Sequence, residues 1–131
     1  MEYRHLGRSG LQVSVVGLGC NNFGMRIDQE ATQAVVDACN GCDLLIHEVL
    51  THGWLAKRPD FHRYAARFHT TSTQLADLAS RAKPRLLVLH HASIAWRPVV
   101  DSQRSRPEEL LDEMMMHYAG HVVVGRDLDV Y

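Results

Sequence analysis

Three short apolar runs, Leu44-Leu45-Ile46, Leu86-Leu87-Val88-Leu89 and Val122-Val123-Val124, constrain this chain more than any other feature. Each is strand-length, and each lacks the regular polar alternation that a water-facing strand would show, so they read as strands of a buried sheet. Helical periodicity fills the intervals between them. Strands alternating with helices imply an α/β arrangement in which helices cover a mainly parallel sheet. At 131 residues there is room for one such domain, spanning 1–131.

Local signals set the expected boundaries. Residues 1–19 suggest two short strands, Met1 to Leu6 and Leu11 to Val16, turning at Gly7-Arg8-Ser9-Gly10. Asp28 opens a helix through about Cys39 with Ala31, Ala34, Val35 and Ala38 on one stripe, and Asn40-Gly41 ends it. From Asp43 to Leu50 a strand places Leu45, His47 and Val49 on one face and Leu44, Ile46 and Glu48 on the other. A helix starting at Pro59 or Asp60 carries Phe61, Tyr64, Ala65 and Phe68 inward and ends near His69. Thr71-Ser-Thr-Gln74 has capping-box spacing, and the helix it opens buries Leu75, Leu78, Ala79 and Ala82 until Lys83-Pro84 stops it. Leu86 to His91 is the next strand. Pro107 starts a third long helix, with Leu110, Leu111, Met114 and Met115 inward and Gly120 as its end.

Composition narrows the function. Hydrophobic residues at 46% and charged residues at 22% exclude a disordered chain. No apolar run is long enough to span a membrane and the opening MEYRHLGRSG lacks a secretory core, so the expected location is cytoplasmic, with no membrane partner. Fourteen Lys+Arg against fifteen Asp+Glu leave a formal charge of -1, too little basic field to hold a nucleic-acid backbone, so nucleic acid is an unlikely partner. Cys20, Cys39 and Cys42 are an odd set, which argues against a disulfide framework, and the lone Cys39-Asn-Gly-Cys42 spacing is expected to be coincidental.

Histidine is the outlier, nine in all. Imidazole is the commonest metal ligand near neutral pH, and functional groups in open α/β sheets collect beyond the carboxyl ends of the strands. His47 and Glu48 lie toward the end of one strand, His90 and His91 end another, Asp127 and Asp129 follow the last, and His69 precedes a helix start. Adjacent His90 and His91 point to opposite faces of a regular strand, so at most one of them serves a given ion. A hydrolytic metal site needs about three such ligands and an open position for water.

Two stretches resemble known families. MEYRHLGRSGLQVSVVGLGCNNFGM with the helix DQEATQAVVDAC, up to about residue 40, resembles the opening of aldo-keto reductases. That family's catalytic and nicotinamide-binding residues come later in its barrel and find no counterpart here, so the resemblance implies neither oxidoreductase activity nor NADP. From about residue 41 to 131, GCDLLIHEV, FHTTSTQLADLASRAKPRLLVLHH and HVVVGRDLDVY resemble the C-terminal part of metallo-β-lactamase-fold hydrolases of the ribonuclease Z-like branch. That resemblance implies that His69 assists proton transfer at a scissile phosphate and that His91 is a metal ligand. The family's HxHxDH motif does not occur in this sequence.

The expectation is therefore a chimera: half of a metallo-β-lactamase-type αβ sandwich with an added N-terminal hairpin and helix, completed by dimerisation, the assembly being a homodimer or a higher symmetric oligomer. Its expected function is metal-dependent hydrolysis of a small-molecule phosphoester, lactone or similar activated ester through a metal-bound water. His47, Glu48, His69 and His91 are the candidate ligands, Glu48 and His69 the catalytic pair, and zinc the metal, with manganese or iron next. The rival reading is a non-catalytic fusion fragment or oligomerisation module with a remnant site.

Overall fold

The structure, a computed structural model, describes residues 3–5, 10, 12–14, 29–90 and 106–126. At the amino end β1 (Tyr3–His5) pairs antiparallel with β2 (Gln12–Ser14), Tyr3 opposite Ser14 and His5 opposite Gln12, as the hairpin reading expects. The remaining described strands, β3 (Leu44–Glu48), β4 (Leu86–His90) and β5 (Val122–Val124), form a parallel sheet in the order β3-β4-β5. Its register sets Leu44 beside Leu86, Ile46 beside Val88 and Glu48 beside His90, and Val88 beside Val123.

One face of this sheet carries the core. Leu45 of β3 and Val49 just beyond it, with Leu87 and Leu89 of β4, pack against three helices: α1 (Gln29–Cys39), α4 (Ser72–Ala82) and α5 (Pro107–Met115). The opposite face is apolar too, with Ile46, Val88 and Val123 in one row, yet it is covered unevenly: Val88 is buried and Ile46 is 52% exposed. Ile46 lies on β3, an edge strand of the described sheet, so the expectation of cover on both faces fails there.

The helices follow their local signals with instructive departures. α1 buries Val35, Val36 and Cys39, while Ala34 and Ala38 lie exposed. The helix is thus rotated from the predicted alanine stripe, because turning Val36 and Cys39 toward α4 removes more apolar surface from water than an alanine face can. In α4 the capping box forms as expected. The Thr71 hydroxyl accepts from the Gln74 N–H, the Gln74 side chain accepts from the Thr71 N–H at 2.9 Å, and Leu75, Leu78, Ala79 and Ala82 are buried. Lys83 at the end of this helix adopts φ 51, a left-handed cap, before Pro84 turns the chain away. α5 ends at Met115, short of the expected Gly120.

Two elements differ from expectation in kind. α2 (His52–Ala56) is additional to the expected elements; its five residues are too few to show helical periodicity, but Thr51 caps it by accepting from the Trp54 N–H at 3.0 Å. The expected helix from Pro59 begins as a 3₁₀ turn (Pro59–Phe61) and continues as α3 (His62–Phe68). Ala65 of α3 is buried with Leu50 and Trp54, but Tyr64 is 46% exposed rather than inward.

The reading of Cys39 and Cys42 as coincidental is corrected: they form a disulfide. Gly41, at φ 81, folds the chain back after α1 and donates to the Ala82 carbonyl at 2.7 Å, which brings the two Cα atoms to 4.8 Å, within bridging range. Cys20 lies outside the described residues. No described helix is long and apolar enough to cross a membrane.

Candidate functional site: a buried carboxylate–imidazole pair

Glu48 is the last residue of β3 and is 2% exposed. A buried carboxylate is costly unless donors surround it. Here the Thr70 N–H donates to Oε1 at 2.6 Å, and the His69 Nδ1–H donates to Oε2 at 3.1 Å.

Those donors are delivered by an extended connection between α3 and α4. His69 (φ -133, ψ 155) and Thr71 (φ -77, ψ 158) have strand-like backbone, so the segment runs parallel to the chain leaving β3. The Leu50 N–H donates to the Thr70 carbonyl and the Ser72 N–H to the Leu50 carbonyl, each at 2.9 Å. This two-bond bridge fixes the register in which His69 meets Glu48. On the far side, the Glu113 carboxylate of α5 accepts from the Ser72 hydroxyl and from the backbone N–H groups of His52 (2.7 Å) and Gly53 (3.4 Å). The His52 Nε2 and Thr73 hydroxyl are 2.9 Å apart. Thr70 Oγ1 is buried with no hydrogen-bond partner among the described residues.

The chemistry of such a pair is specific. A carboxylate accepting from Nδ1–H selects one ring orientation and one neutral tautomer, so that proton exchange with a reactant falls to Nε2. The His69 ring is also flanked by Phe61, near-parallel at 29° and 6.1 Å, and by Tyr64 at 5.7 Å.

The other candidates separate. His47 is fully buried on the helix-covered face, opposite Glu48, and its Nδ1–H donates to the Glu48 carbonyl at 2.7 Å. Burial is the main reason its pKa lies below the usual histidine value, with His90 adding repulsion; the Glu48 carbonyl and carboxylate pull the other way. His90 shares the Glu48 face in register but is exposed. His91, Asp127 and Asp129 lie outside the described residues.

The described residues do not fit the expected zinc, manganese or iron. Both Glu48 oxygens are engaged by Thr70 and His69, His47 is on the wrong side of the sheet, and no three His, Cys, Asp or Glu among the described residues gather as ligands. The sequence reading missed Glu113, Ser72 and Thr70. The capping-box signal at Thr71 marks their neighbourhood, but nothing in the sequence ties Glu113 to residues 41 and 61 positions away.

No protein-family model matches the chain. It is 27% identical over 130 residues to a ribonuclease Z of Marinobacter nauticus, which covers 99% of this chain and 36% of that protein. It is 29% identical over 106 residues to a ribonuclease Z of Pseudomonas putida (strain W619), covering 79% of this chain and 31% of that one, and a ribonuclease Z of Pseudomonas putida (strain GB-1) matches similarly. The chain thus spans 31–36% of the length of these curated relatives. The Marinobacter match also runs through the opening segment that the aldo-keto reductase resemblance set apart.

These relatives correct the expectation that nucleic acid is an unlikely partner and a small molecule the substrate class, because proteins similar over most of this chain are named as ribonucleases. A formal charge of -1 is an average over the chain and hides local concentrations of one sign. The homologues are ribonuclease Z proteins, in accord with the metallo-β-lactamase-type resemblance of residues 41–131, and the fold is a mixed α/β arrangement about a small parallel sheet.

Proposed function

We propose that this chain carries part of an RNA-hydrolysing site in which Glu48 and His69 move a proton at a scissile phosphodiester. The supporting observation is the Glu48–His69 hydrogen bond, 3.1 Å and nearly out of solvent, in a chain similar to ribonuclease Z proteins. In this reading water adds to phosphorus as the bond to the leaving ribose oxygen breaks. His69 Nε2 gives that oxygen its proton, and the proton released by the water restores the imidazolium. Glu48 holds the ring in position and stabilises its charge. His91 is a metal ligand in this reading, as the metallo-β-lactamase-type resemblance implies. The aldo-keto-reductase-like segment of residues 1–40 belongs to the reading as an addition without nicotinamide chemistry, the cytoplasm as the setting, and a homodimer as an assembly through the sheet face that carries Ile46.

The test is cleavage of end-labelled single-stranded and hairpin RNAs by the purified chain, with zinc, manganese or chelator, against His69→Ala. Cleavage that disappears in the variant supports the proposal. Intact RNA under every condition overturns it in favour of the non-catalytic fusion fragment or oligomerisation module.

A further inference from the structure

The segment between β3 and α4 concentrates what the rest of the chain dilutes. From Lys57 to Arg67 the sequence holds four cationic residues, Lys57, Arg58, Arg63 and Arg67, against one acid, Asp60, in a chain whose formal charge is -1. Aromatic rings are interleaved with these charges. Tyr64 lies 4.8 Å from Phe61 and 4.6 Å from Phe68, and its ring centroid is 5.7 Å from that of His69. The Arg58 guanidinium lies 5.8 Å over the Phe61 ring and is held by Asp60 through two bonds of 3.2 Å.

Core packing does not account for Tyr64. Periodicity assigns it to the inward face with Phe61 and Ala65, yet it is 46% exposed, the most exposed member of a ring cluster that reaches His69. A solvent-facing aromatic ring backed by other rings, in a locally basic segment, is the arrangement by which proteins hold single strands: bases stack on the ring and cations follow the backbone.

We infer that Tyr64, backed by Phe61 and with Arg63 beside it in the chain, is a stacking platform for a base of single-stranded RNA next to the Glu48–His69 pair. The inference deepens the hydrolase reading and rests on it for the identity of the ligand. It supplies what that pair lacks, a reason for a particular nucleotide to rest with its phosphate near His69. Duplex RNA, whose bases are already stacked, has no free base face to offer Tyr64.

The experiment is fluorescence anisotropy with a short labelled single-stranded RNA and its duplex, using the whole chain and the variants Tyr64→Ala, Tyr64→Phe and Arg63→Gln. Tyr64→Ala weakens single-strand binding by about 5- to 150-fold, the range for loss of one stacked base, while Tyr64→Phe retains it. Duplex affinity stays the same in both. Arg63→Gln weakens binding with a shallower salt dependence, the log–log slope falling by about 0.7, the share of one neutralised phosphate on a single strand. Wild-type protein that binds no RNA, or Tyr64→Ala that binds single strands as wild type does, overturns the inference. Cleavage scored on the same samples keeps the two ideas apart: cleavage that depends on His69 with binding indifferent to Tyr64 removes the platform alone, and binding that depends on Tyr64 without cleavage removes the hydrolase alone.

Discussion

The Glu113 carboxylate on α5 accepts the backbone N–H of His52 at 2.7 Å, across 61 residues of sequence. The same carboxylate takes the Ser72 hydroxyl at the first residue of α4, so one side chain joins the starts of two helices to a third. Glu113→Ala leaves the fully buried Ser72 hydroxyl and an exposed pair of helix N–H groups without that acceptor. The expected loss is about 1–3 kcal/mol, the cost of an unsatisfied buried polar group plus a weakened cap. Urea unfolding measures it, and a midpoint equal to wild type would show that the carboxylate holds nothing together.

Thr71→Ala removes the side-chain half of the capping box, together with the hydroxyl's donation to Gln74 Oε1 at 3.0 Å. Its hydroxyl accepts from the Gln74 N–H, while the Thr71 N–H keeps its own acceptor on Gln74. Loss of such a cap costs about 0.5–2 kcal/mol. Thr71→Ser retains the oxygen and should restore most of the stability. Equal destabilisation by Ala and Ser would assign the effect to the lost methyl rather than to capping.

Elements of this fold were legible where one local interaction decides them. The Thr71–Gln74 box, the Lys83-Pro84 stop and the apolar runs at Leu44, Leu86 and Val122 each act within a few residues, and each appears where expected. What the sequence hid depends on packing between distant segments. The rotation of α1 toward Val36 and Cys39 is set by α4, and Tyr64 turns outward because small Ala65 fits against Leu50 and Trp54. At the site, Glu48 and His69 were both legible as strand-end and helix-start residues. Their pairing was not, since it follows from the Leu50–Thr71 bridge; the separation of His47 from Glu48 was legible, because it follows from the period-two alternation along the strand itself.

His47 makes stability depend on pH in a definite direction. Its folded-state pKa is lowered, chiefly by burial, so between that value and the unfolded value near 6.5 the unfolded chain holds the extra proton. Its contribution is complete above pH ~6.5 and is lost as pH falls through and below it, at a limiting slope of about 1.4 kcal/mol per pH unit. The groups acting on it are the Glu48 carboxylate and carbonyl and the His90 ring. Urea midpoints at pH 7.5 and pH 5.5, roughly one unit either side of the unfolded value, should separate more for wild type than for His47→Asn, which cannot titrate. Equal separation would remove His47 from the acid response.

Glu48→Gln tests the catalytic reading with the least disturbance of structure. The amide oxygen can still accept from the Thr70 N–H, which lies 2.6 Å from Oε1, so the His69–Ser72 segment keeps its anchor. The amide nitrogen then faces His69 Nδ1 and donates where the carboxylate accepted, which favours the tautomer with its proton on Nε2. The ring loses its charge partner and its orientation together. RNA cleavage should fall by about 10²–10⁴-fold, the range for removing a positioned acid or base, while affinity for single-stranded RNA stays unchanged. Nitrogen-15 spectra of the imidazole should show Nδ1 protonated in wild-type protein and unprotonated in the variant, where it accepts from the amide. Unaltered tautomer and undiminished cleavage in Glu48→Gln would mean that His69 is set by its aromatic neighbours, and the carboxylate would be left as a structural anchor for Thr70 alone.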